Sequence, residues 1–388
     1  MKSYSRPAAC WSVAVLAALL SLFALPSAQA QKLATGQRLP KRVVADYTAG
    51  SKYLNPPYGV PQIPFKKLTH IIHAAVPWNS DGSLSVGNGF LEPALIRKAH
   101  KNGVKVMLLT GGDFAAVENS KAVLETVVMN LQAFVTANGY DGLDVDWEFP
   151  ESAADRAFFN RLMERFRAAF PSPQYTLSID VAPWNGTFYN MHRLKDSVDF
   201  FNLMVYDCAG PWTSIGQLNS PIFWDPKNPK PEECQPGGSV EQAADIFLKR
   251  VPAEQLNMGT PFYGYYYTNV SQLFAECPND GITPDGDCDD TVQYVNYGPF
   301  IKPLINQQGW QRYYDTTAMV PYLLRTDGAP GFITYDDAYS TYTRVFYSDW
   351  IRNLGGTFMW ALDADYDGHS QDLVDAMYQA TIDGSTRR

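Results

Sequence analysis

Short apolar runs alternate along the chain with longer segments in which apolar residues recur every three or four positions. The short runs have the length of buried β-strands, and the longer segments have the period of helices with one apolar face. The pattern predicts strands at 42–47, 70–76, 105–110, 142–148, 175–182, 200–206, 257–263 and 357–362. It predicts helices between them at 92–102, 120–138, 153–170, 240–251 and 342–354.

Eight strands that alternate with helices predict an α/β fold of the (β/α)8 or TIM-barrel type. One connection is longer than a barrel needs, because it runs from Gly264 to about Gly331 and carries Pro, Gly, Asp and two cysteines. We therefore expect an insertion after strand 7, at approximately 265–331. No internal repeat or linker divides the chain, so we expect a single barrel domain over residues 31–388.

The N-terminus has the three parts of a secretory signal peptide. Lys2 and Arg6 are basic, residues 11–25 are apolar, and Ala28 and Ala30 form a cleavage site of small residues. The apolar run is shorter than the roughly 20 residues of a membrane-spanning helix. We expect residues 1–30 to be removed after Ala30 and the protein to be secreted.

Composition narrows the class of partner. The chain is 46% hydrophobic and only 18% charged, it carries a net charge of −9, and it contains 9 Trp, 23 Tyr and 21 Phe. Such a chain is not disordered, because disordered chains have few aromatic residues and many charges. Nucleic acids and anionic membranes attract clustered Lys and Arg, and the sequence shows no such cluster. A neutral ligand therefore fits the composition better than either.

Four cysteines remain after signal cleavage, and four cysteines allow three disulfide connectivities. Nearness in sequence favours Cys277–Cys288, which leaves Cys208–Cys234. The spacing matches no CxxC zinc pattern. Secretion favours disulfides over free thiols.

The most informative stretch is residues 141–150, DGLDVDWEFP. Side chains alternate along a strand, so Asp144, Asp146 and Glu148 share one face. In a barrel they point inward, where mutual repulsion raises at least one pKa, and Glu148 stands at the C-terminal end that carries the chemistry of barrel enzymes. A carboxyl with a raised pKa suits a general acid. From the pattern alone, a solvated strand face and a divalent-metal site remain open.

The spacing Asp141-x-x-Asp144-x-Asp146-x-Glu148 resembles the DxxDxDxE signature of glycoside hydrolase family 18, the chitinases and their relatives. Further segments resemble other motifs of that family in the expected order, and the resemblance covers nearly all of residues 40–380. These segments are Gly111-Gly112, Met204-Val205-Tyr206-Asp207, Pro261-Phe262-Tyr263-Gly264, Tyr335-Asp336-Asp337, Gly355-Gly356 and Trp360-Ala361-Leu362-Asp363.

The resemblance implies substrate-assisted hydrolysis with retention, an exception among glycosidases. Glu148 would be the general acid and base, and the substrate's own N-acetyl oxygen would attack the anomeric carbon to give an oxazolinium ion. Asp146 would orient the acetamido group and share a proton with Asp144 and Glu148. Tyr206 would donate its hydroxyl proton to the acetamido oxygen. No cofactor and no metal ion are implied.

The resemblance also implies a set of substrate-binding residues. Asp207 and Met204 would line the −1 subsite, and Trp360 would form its apolar floor. Trp212 would stack on a sugar ring. Gly111 and Gly112, at the end of strand 3, complete the candidate binding residues.

Four positions depart from the family pattern. Leu109 stands where the family has Ser, and Asp46 stands where it has Tyr. In typical members these two residues donate hydrogen bonds to the innermost carboxylate, here Asp144, so a shifted pH profile is expected. Tyr265 replaces a common Arg, and Cys208 follows the MxYD motif where an aromatic residue is usual.

The resulting hypothesis is a secreted chitinase, with endo action favoured over exo action. It would bind chitin or chitooligosaccharides as a monomer and contact neither nucleic acid nor membrane. Two alternatives remain open. One is an endo-β-N-acetylglucosaminidase that acts on N-glycans. The other is a non-catalytic chitin-binding lectin on the same fold.

Overall fold

The computed structural model describes residues 39–386 apart from 184–187, 235, 279–287, 289–290 and 308. The expected signal peptide, with its cleavage site at Ala30, lies outside the described residues.

The strands are β1 (Arg42–Thr48), β2 (His70–Ala74), β3 (Lys105–Thr110), β4 (Gly142–Val145), β5 (Thr176–Val181), β6 (Phe200–Leu203), β7 (Leu256–Pro261), β8 (Tyr263–Tyr267), β9 (Val292–Asn296), β10 (Trp310–Asp315), β11 (Val320–Arg325), β12 (Phe332–Thr334) and β13 (Gly356–Trp360).

Eight parallel strands of the described chain close into a barrel. β1 to β7 follow one another in chain order, and β13 pairs with both β7 and β1 to complete the closure. The predicted (β/α)8 barrel is therefore confirmed. Each strand contributes an inward and an outward row of side chains, and the outward row packs beneath the helices.

The helices are α1 (Pro93–Lys101), α2 (Phe114–Asn119), α3 (Lys121–Asn138), α4 (Ala153–Ala169), α5 (Met191–Leu194), α6 (Val240–Phe247), α7 (Ala338–Phe346), α8 (Leu362–Asp365) and α9 (Asp372–Ser385). Side chains cap several of their N-termini. Ser152 and Asp155 form a capping box at α4, and Asp337 accepts hydrogen bonds from the first backbone N–H groups of α7. Because of that cap, α7 begins four residues before the predicted helix at 342–354.

β4 and β6 are both shorter than predicted, since they end at Val145 and Leu203. Alternation of side chains continues beyond the last full pair of ladder hydrogen bonds, and a sequence pattern does not register where pairing stops. Asp146 still donates its backbone N–H to the carbonyl of Thr110. The functional segments of both strands therefore lie just beyond the barrel rim.

The insertion after strand 7 is present, as predicted. β8 to β12 form a five-stranded antiparallel sheet in the order β10-β11-β12-β8-β9. The inner face of β8 packs toward the barrel rim, because Tyr263, Tyr265 and Tyr267 belong to the same buried cluster as barrel residues Met204 and Tyr206. The insertion thereby contributes one wall of the candidate site.

Both predicted disulfides are formed, Cys208–Cys234 with a Cα–Cα distance of 5.1 Å and Cys277–Cys288 with 5.4 Å. The first ties the segment that follows β6 to the loop before α6. Within the described part of the chain, no helix combines the length and the hydropathy required to cross a bilayer.

Candidate active site

Three carboxyl groups lead from the barrel interior to the solvent along β4 and its extension. Asp144 is fully buried, Asp146 is half-buried, and Glu148 is exposed. Leu143 and Val145, at alternate positions of the same strand, are buried on the opposite face. The structure therefore brings the three predicted carboxyls together on one face.

Asp144 is held by neutral donors from the next two strands. The hydroxyl of Ser178 on β5, directly opposite in register, donates to Asp144 Oδ1, and Asn202 Nδ2 on β6 lies 3.4 Å from the same oxygen. Leu109 pairs with Asp144 on the other side and offers no donor. Burial raises the pKa of Asp144 to about 6, and the hydrogen bonds from Ser178 and Asp180 oppose that rise.

Two more carboxyls enclose this group. Asp46 on β1 is only 1% exposed, and neither of its carboxyl oxygens has a hydrogen-bond partner. Asp180 on β5 is also buried. Burial first, and then the charges of Asp144 and Asp146, raise the pKa of both groups well above the ordinary range, so both carboxyls resist ionisation.

The carboxyls of Asp146 and Glu148 are hydrogen-bonded to each other. Burial and the charges of Glu148 and Asp144 raise the pKa of Asp146. Partial desolvation and the charge of Asp207 raise the pKa of Glu148. The pair therefore retains a proton between them at a pH where free carboxyls are ionised, which is the condition for a general acid.

Asp207 lies across the opening from β4 and has a left-handed backbone conformation, with φ at 65°. Its Oδ1 accepts hydrogen bonds from the hydroxyls of Tyr263 at 2.5 Å and Tyr265 at 2.9 Å. Burial raises its pKa, and these two hydrogen bonds oppose the rise. Tyr206 is buried beside Tyr263, with their ring centroids 5.9 Å apart in an edge-on arrangement.

The remaining candidate residues surround this group at different depths. Met204 is buried in the inward-facing cluster, and Trp360 packs against that cluster from the end of β13. Trp212 is 49% exposed, and its ring lies edge-on to that of Tyr265 at 5.8 Å. A hydrogen bond joins Trp360 to Tyr294 of the insertion.

Gly111 and Gly112 have a packing reason to be glycine. A Cβ on Gly111 would lie 2.6 Å from the carbonyl oxygen of Asp146, and one on Gly112 would lie 2.2 Å from that of Trp78. Gly111 thus lets the end of β3 approach the carboxylate segment closely, and Gly112 lets it approach the segment after β2.

Sequence reasoning missed Ser178, Asp180, Asn202 and Tyr263 as members of the site. Polar residues at alternate positions of a buried strand were the available signal, since Ser178 and Asp180 share one face of β5. As for metals, no cluster of three or more His, Cys, Asp or Glu side chains suited to an ion occurs among the residues that the structure describes.

Comparison with known proteins identifies the family. The sequence model described as "Glycosyl hydrolases family 18" matches residues 42–365. A probable endochitinase of Caenorhabditis elegans is 29% identical over 333 residues, which are 76% of this chain and 51% of that protein. Chitinase 1 of Aphanocladium album is 23% identical over 427 residues, 95% of this chain and 92% of that protein. The chain thus spans about half the length of the nematode relative.

Solved structures agree on the fold. The group IV chitinase of Ostrinia furnacalis, in complex with allosamidin, superimposes with a TM-score of 0.77 and 23% identity, over 89% of this chain and 99% of that one. With the family model matching most of the barrel, the protein belongs to glycosyl hydrolases family 18.

Proposed function

We propose that the protein is a secreted chitinase that hydrolyses β-1,4-linked N-acetylglucosamine in polymers or oligomers with retention of configuration. The observation that carries the proposal is the hydrogen-bonded pair Asp146–Glu148 above the buried Asp144. The relatives named above as chitinases support the substrate class.

The reaction begins with Glu148, which donates its proton to the glycosidic oxygen. The substrate's acetamido oxygen attacks the anomeric carbon, the glycosidic bond breaks, and an oxazolinium ion forms. Glu148 then removes a proton from the water that opens this ion. Because the nucleophile is tethered to the substrate, proximity supplies a large part of the rate.

Asp146 and Tyr206 hold the acetamido group for this attack. Asp146 accepts the acetamido N–H and stabilises the positive charge that develops on the ring, while Tyr206 donates its hydroxyl proton to the acetamido oxygen. Donors and charges already in position need no reorganisation during the reaction. Asp144 stabilises Asp146 from below.

The −1 sugar lies against Trp360, with Met204 and Asp207 at its side. The exposed ring of Trp212 stacks on a further sugar of the chain, since flat apolar faces suit sugar rings. The acidic, aromatic-rich composition fits a neutral ligand. Residues 1–30 act as the secretion signal in this proposal, and the mature barrel works as a monomer without a cofactor.

Hydrolysis of defined chitin oligomers by wild type and Glu148→Gln tests the proposal. Wild type should release shorter oligomers, with internal cleavage giving an endo pattern. The substituted protein should lose activity by a factor of about 10³ or more, because the amide of Gln is too weak an acid to protonate the glycosidic oxygen. Full activity of Glu148→Gln would overturn the mechanism.

The same experiment separates the two alternatives. Release of a glycan from a glycoprotein without cleavage of chitin oligomers would indicate an endo-β-N-acetylglucosaminidase. Equal inertness of wild type and Glu148→Gln, with both proteins still binding chitin, would indicate a lectin.

A further inference from the structure

A continuous set of hydrogen bonds crosses the barrel interior from its floor to the innermost carboxylate. Arg42 Nε donates to Asn257 Oδ1 at 2.8 Å. Asn257 Nδ2 donates to Asn202 Oδ1 at 2.9 Å, and Asn202 Nδ2 points to Asp144 Oδ1 at 3.4 Å. Every donor faces the same way, with a guanidinium at one end and a carboxylate at the other.

The amide dipoles in this relay have their positive ends toward Asp144. Asn202 and Asn257 are both completely buried, so solvent does not screen them. Burial lowers the pKa of Arg42 to about 10, which still leaves the guanidinium charged at neutral pH. The guanidinium is kept in place by the ring of Phe200, 4.9 Å away, and by the carbonyl oxygen of Glu254.

We propose that Arg42 is a positioning residue for the hydrolysis, and that it acts through Asn257 and Asn202 to keep Asp144 the ionised carboxyl of the interior cluster. This inference rests on the proposed function for its consequence in catalysis. Its structural part, the ionisation of Asp144, does not depend on any substrate.

The surroundings of Asp144 leave it as the member best suited to carry the charge. Asp46 accepts no hydrogen bond, whereas Asp144 accepts one from the hydroxyl of Ser178 and one from the amide of Asn202. Asp180 also donates a hydrogen bond to Asp144. The other barrel-facing residues near this level are uncharged: Ile72 on β2, Leu109 on β3, Asn202 on β6, Gly259 on β7 and Phe358 on β13.

Other ionisable groups at the barrel floor do not join the relay. Burial lowers the pKa of His70 to about 3, so this ring is neutral. Lys105 Nζ donates instead to Thr176 Oγ1 at 2.8 Å. The carboxyl of Asp349 lies near the guanidinium, and its charge, once formed, raises the pKa of Arg42.

An ionised Asp144 has a direct effect on the catalytic pair. Its negative charge is one of the causes that raise the pKa of Asp146, and the retained proton of Asp146 is what bonds to Glu148. When the donors to Asp144 are lost, the cluster gives up its first proton less readily. The acidic limb of the pH–rate profile, which reports that first ionisation, then moves to higher pH.

The test compares Asn257→Leu with Lys105→Gln, which removes a floor cation outside the relay. Asn257→Leu removes the hydrogen bond that holds the Asn202 amide with its Nδ2 toward Asp144, so the acidic limb of kcat/KM should move upward by about one pH unit. Lys105→Gln should leave the acidic limb of kcat/KM unchanged. Arg42→Lys keeps a positive charge and a hydrogen-bond donor, so its acidic limb should lie close to that of wild type. Asn257→Ala removes the same amide without adding bulk to the barrel interior, so it provides a second test if the leucine variant fails to fold.

Carbon-13 NMR of aspartate carboxyl groups provides a readout without substrate, with Asp144→Asn used to assign the signal. The titration of Asp144 should move to higher pH in Asn257→Leu and Asn257→Ala, and not in Lys105→Gln. An unchanged Asp144 titration in both Asn257 variants, or an equal shift in Lys105→Gln, would overturn the inference. If wild type fails to cleave chitin oligomers, the proposed function is wrong. The NMR titration still shows whether the relay affects the ionisation of Asp144.

Discussion

The hydroxyl of Tyr265 donates a hydrogen bond to Oδ1 of Asp207 over 2.9 Å. The family pattern predicts that Tyr265 stands where many members carry Arg, and on that expectation a neutral donor takes the place of a cation. A neutral donor stabilises the carboxylate but leaves its charge uncompensated. That charge is one cause of the raised pKa of Glu148, so a tyrosine at position 265 favours the protonated form of Glu148.

Tyr265→Phe should destabilise the protein and raise the pKa of Asp207, because a carboxylate loses one of its two tyrosine donors. A hydrogen bond to a charged group contributes about 1.5–3 kcal/mol, and the free energy of unfolding in urea measures the loss. Tyr313→Phe, at an exposed tyrosine of β10, is the matched control. Equal unfolding free energies for the two variants would contradict the role given to Tyr265.

Ser178→Ala should raise the pKa of Asp144 above its value of about 6, since the hydroxyl that donates to the buried carboxylate is removed. The acidic limb of kcat/KM should then move upward by about one pH unit. Ser348→Ala serves as a control, because the Ser348 hydroxyl is buried without a hydrogen-bond partner. If the acidic limb of kcat/KM is unchanged in both variants, Ser178 does not affect the pKa of Asp144.

The contact of Ser178 with Asp144 could not be predicted from the sequence alone. The period of two in Asp144, Asp146 and Glu148 predicted their common face, and the barrel and both disulfides followed from patterns local to the chain. The donors to Asp144 depend instead on register between strands about 34 and 58 residues apart in sequence, which no local pattern encodes. The loss of donors expected from Leu109 and Asp46 is thus partly offset by Ser178 and Asn202.

Asp46→Asn should lower the apparent pKa values of the carboxyl cluster, because the change removes a group whose charge, once formed, repels those of Asp144 and Asp146. The pH–rate profile should move to lower pH while the side-chain volume stays nearly constant. Asp349→Asn, at a buried carboxyl of the opposite barrel end, provides the comparison. A profile that Asp46→Asn leaves unchanged would remove Asp46 from the proton-sharing group.

Trp212→Ala should raise KM for long chitin oligomers several-fold with little change in kcat, because the ring is half exposed, lies edge-on to Tyr265 and takes no part in the proposed proton transfers. The fold should be unaffected, since exposed side chains contribute little to stability. Trp212→Phe, which keeps a flat ring, should recover part of the affinity. Equal KM values for wild type and the alanine variant would exclude stacking at this position.

Asp349 offers a test of buried charge that is independent of catalysis. The side chain is completely buried and neither carboxyl oxygen has a hydrogen-bond partner. Burial raises its pKa to about 8, although the charges of Lys41 and Arg42 oppose the rise. The folded state therefore holds a proton that the unfolded chain releases near pH 4, so stability falls as pH rises from about 4 to about 8.

Asp349→Asn should abolish this dependence, because the amide is neutral throughout and keeps the shape of the carboxyl. Relative to wild type, the variant should gain about 1.4 kcal/mol of unfolding free energy per pH unit over that window, and about 4 kcal/mol between pH 4 and pH 7. Urea unfolding at pH 4, 5.5 and 7 measures the difference. Asp196→Asn, at an exposed aspartate, should show a difference near zero at each pH, and a similarly flat difference for Asp349→Asn would mean that Asp349 is ionised in the folded protein.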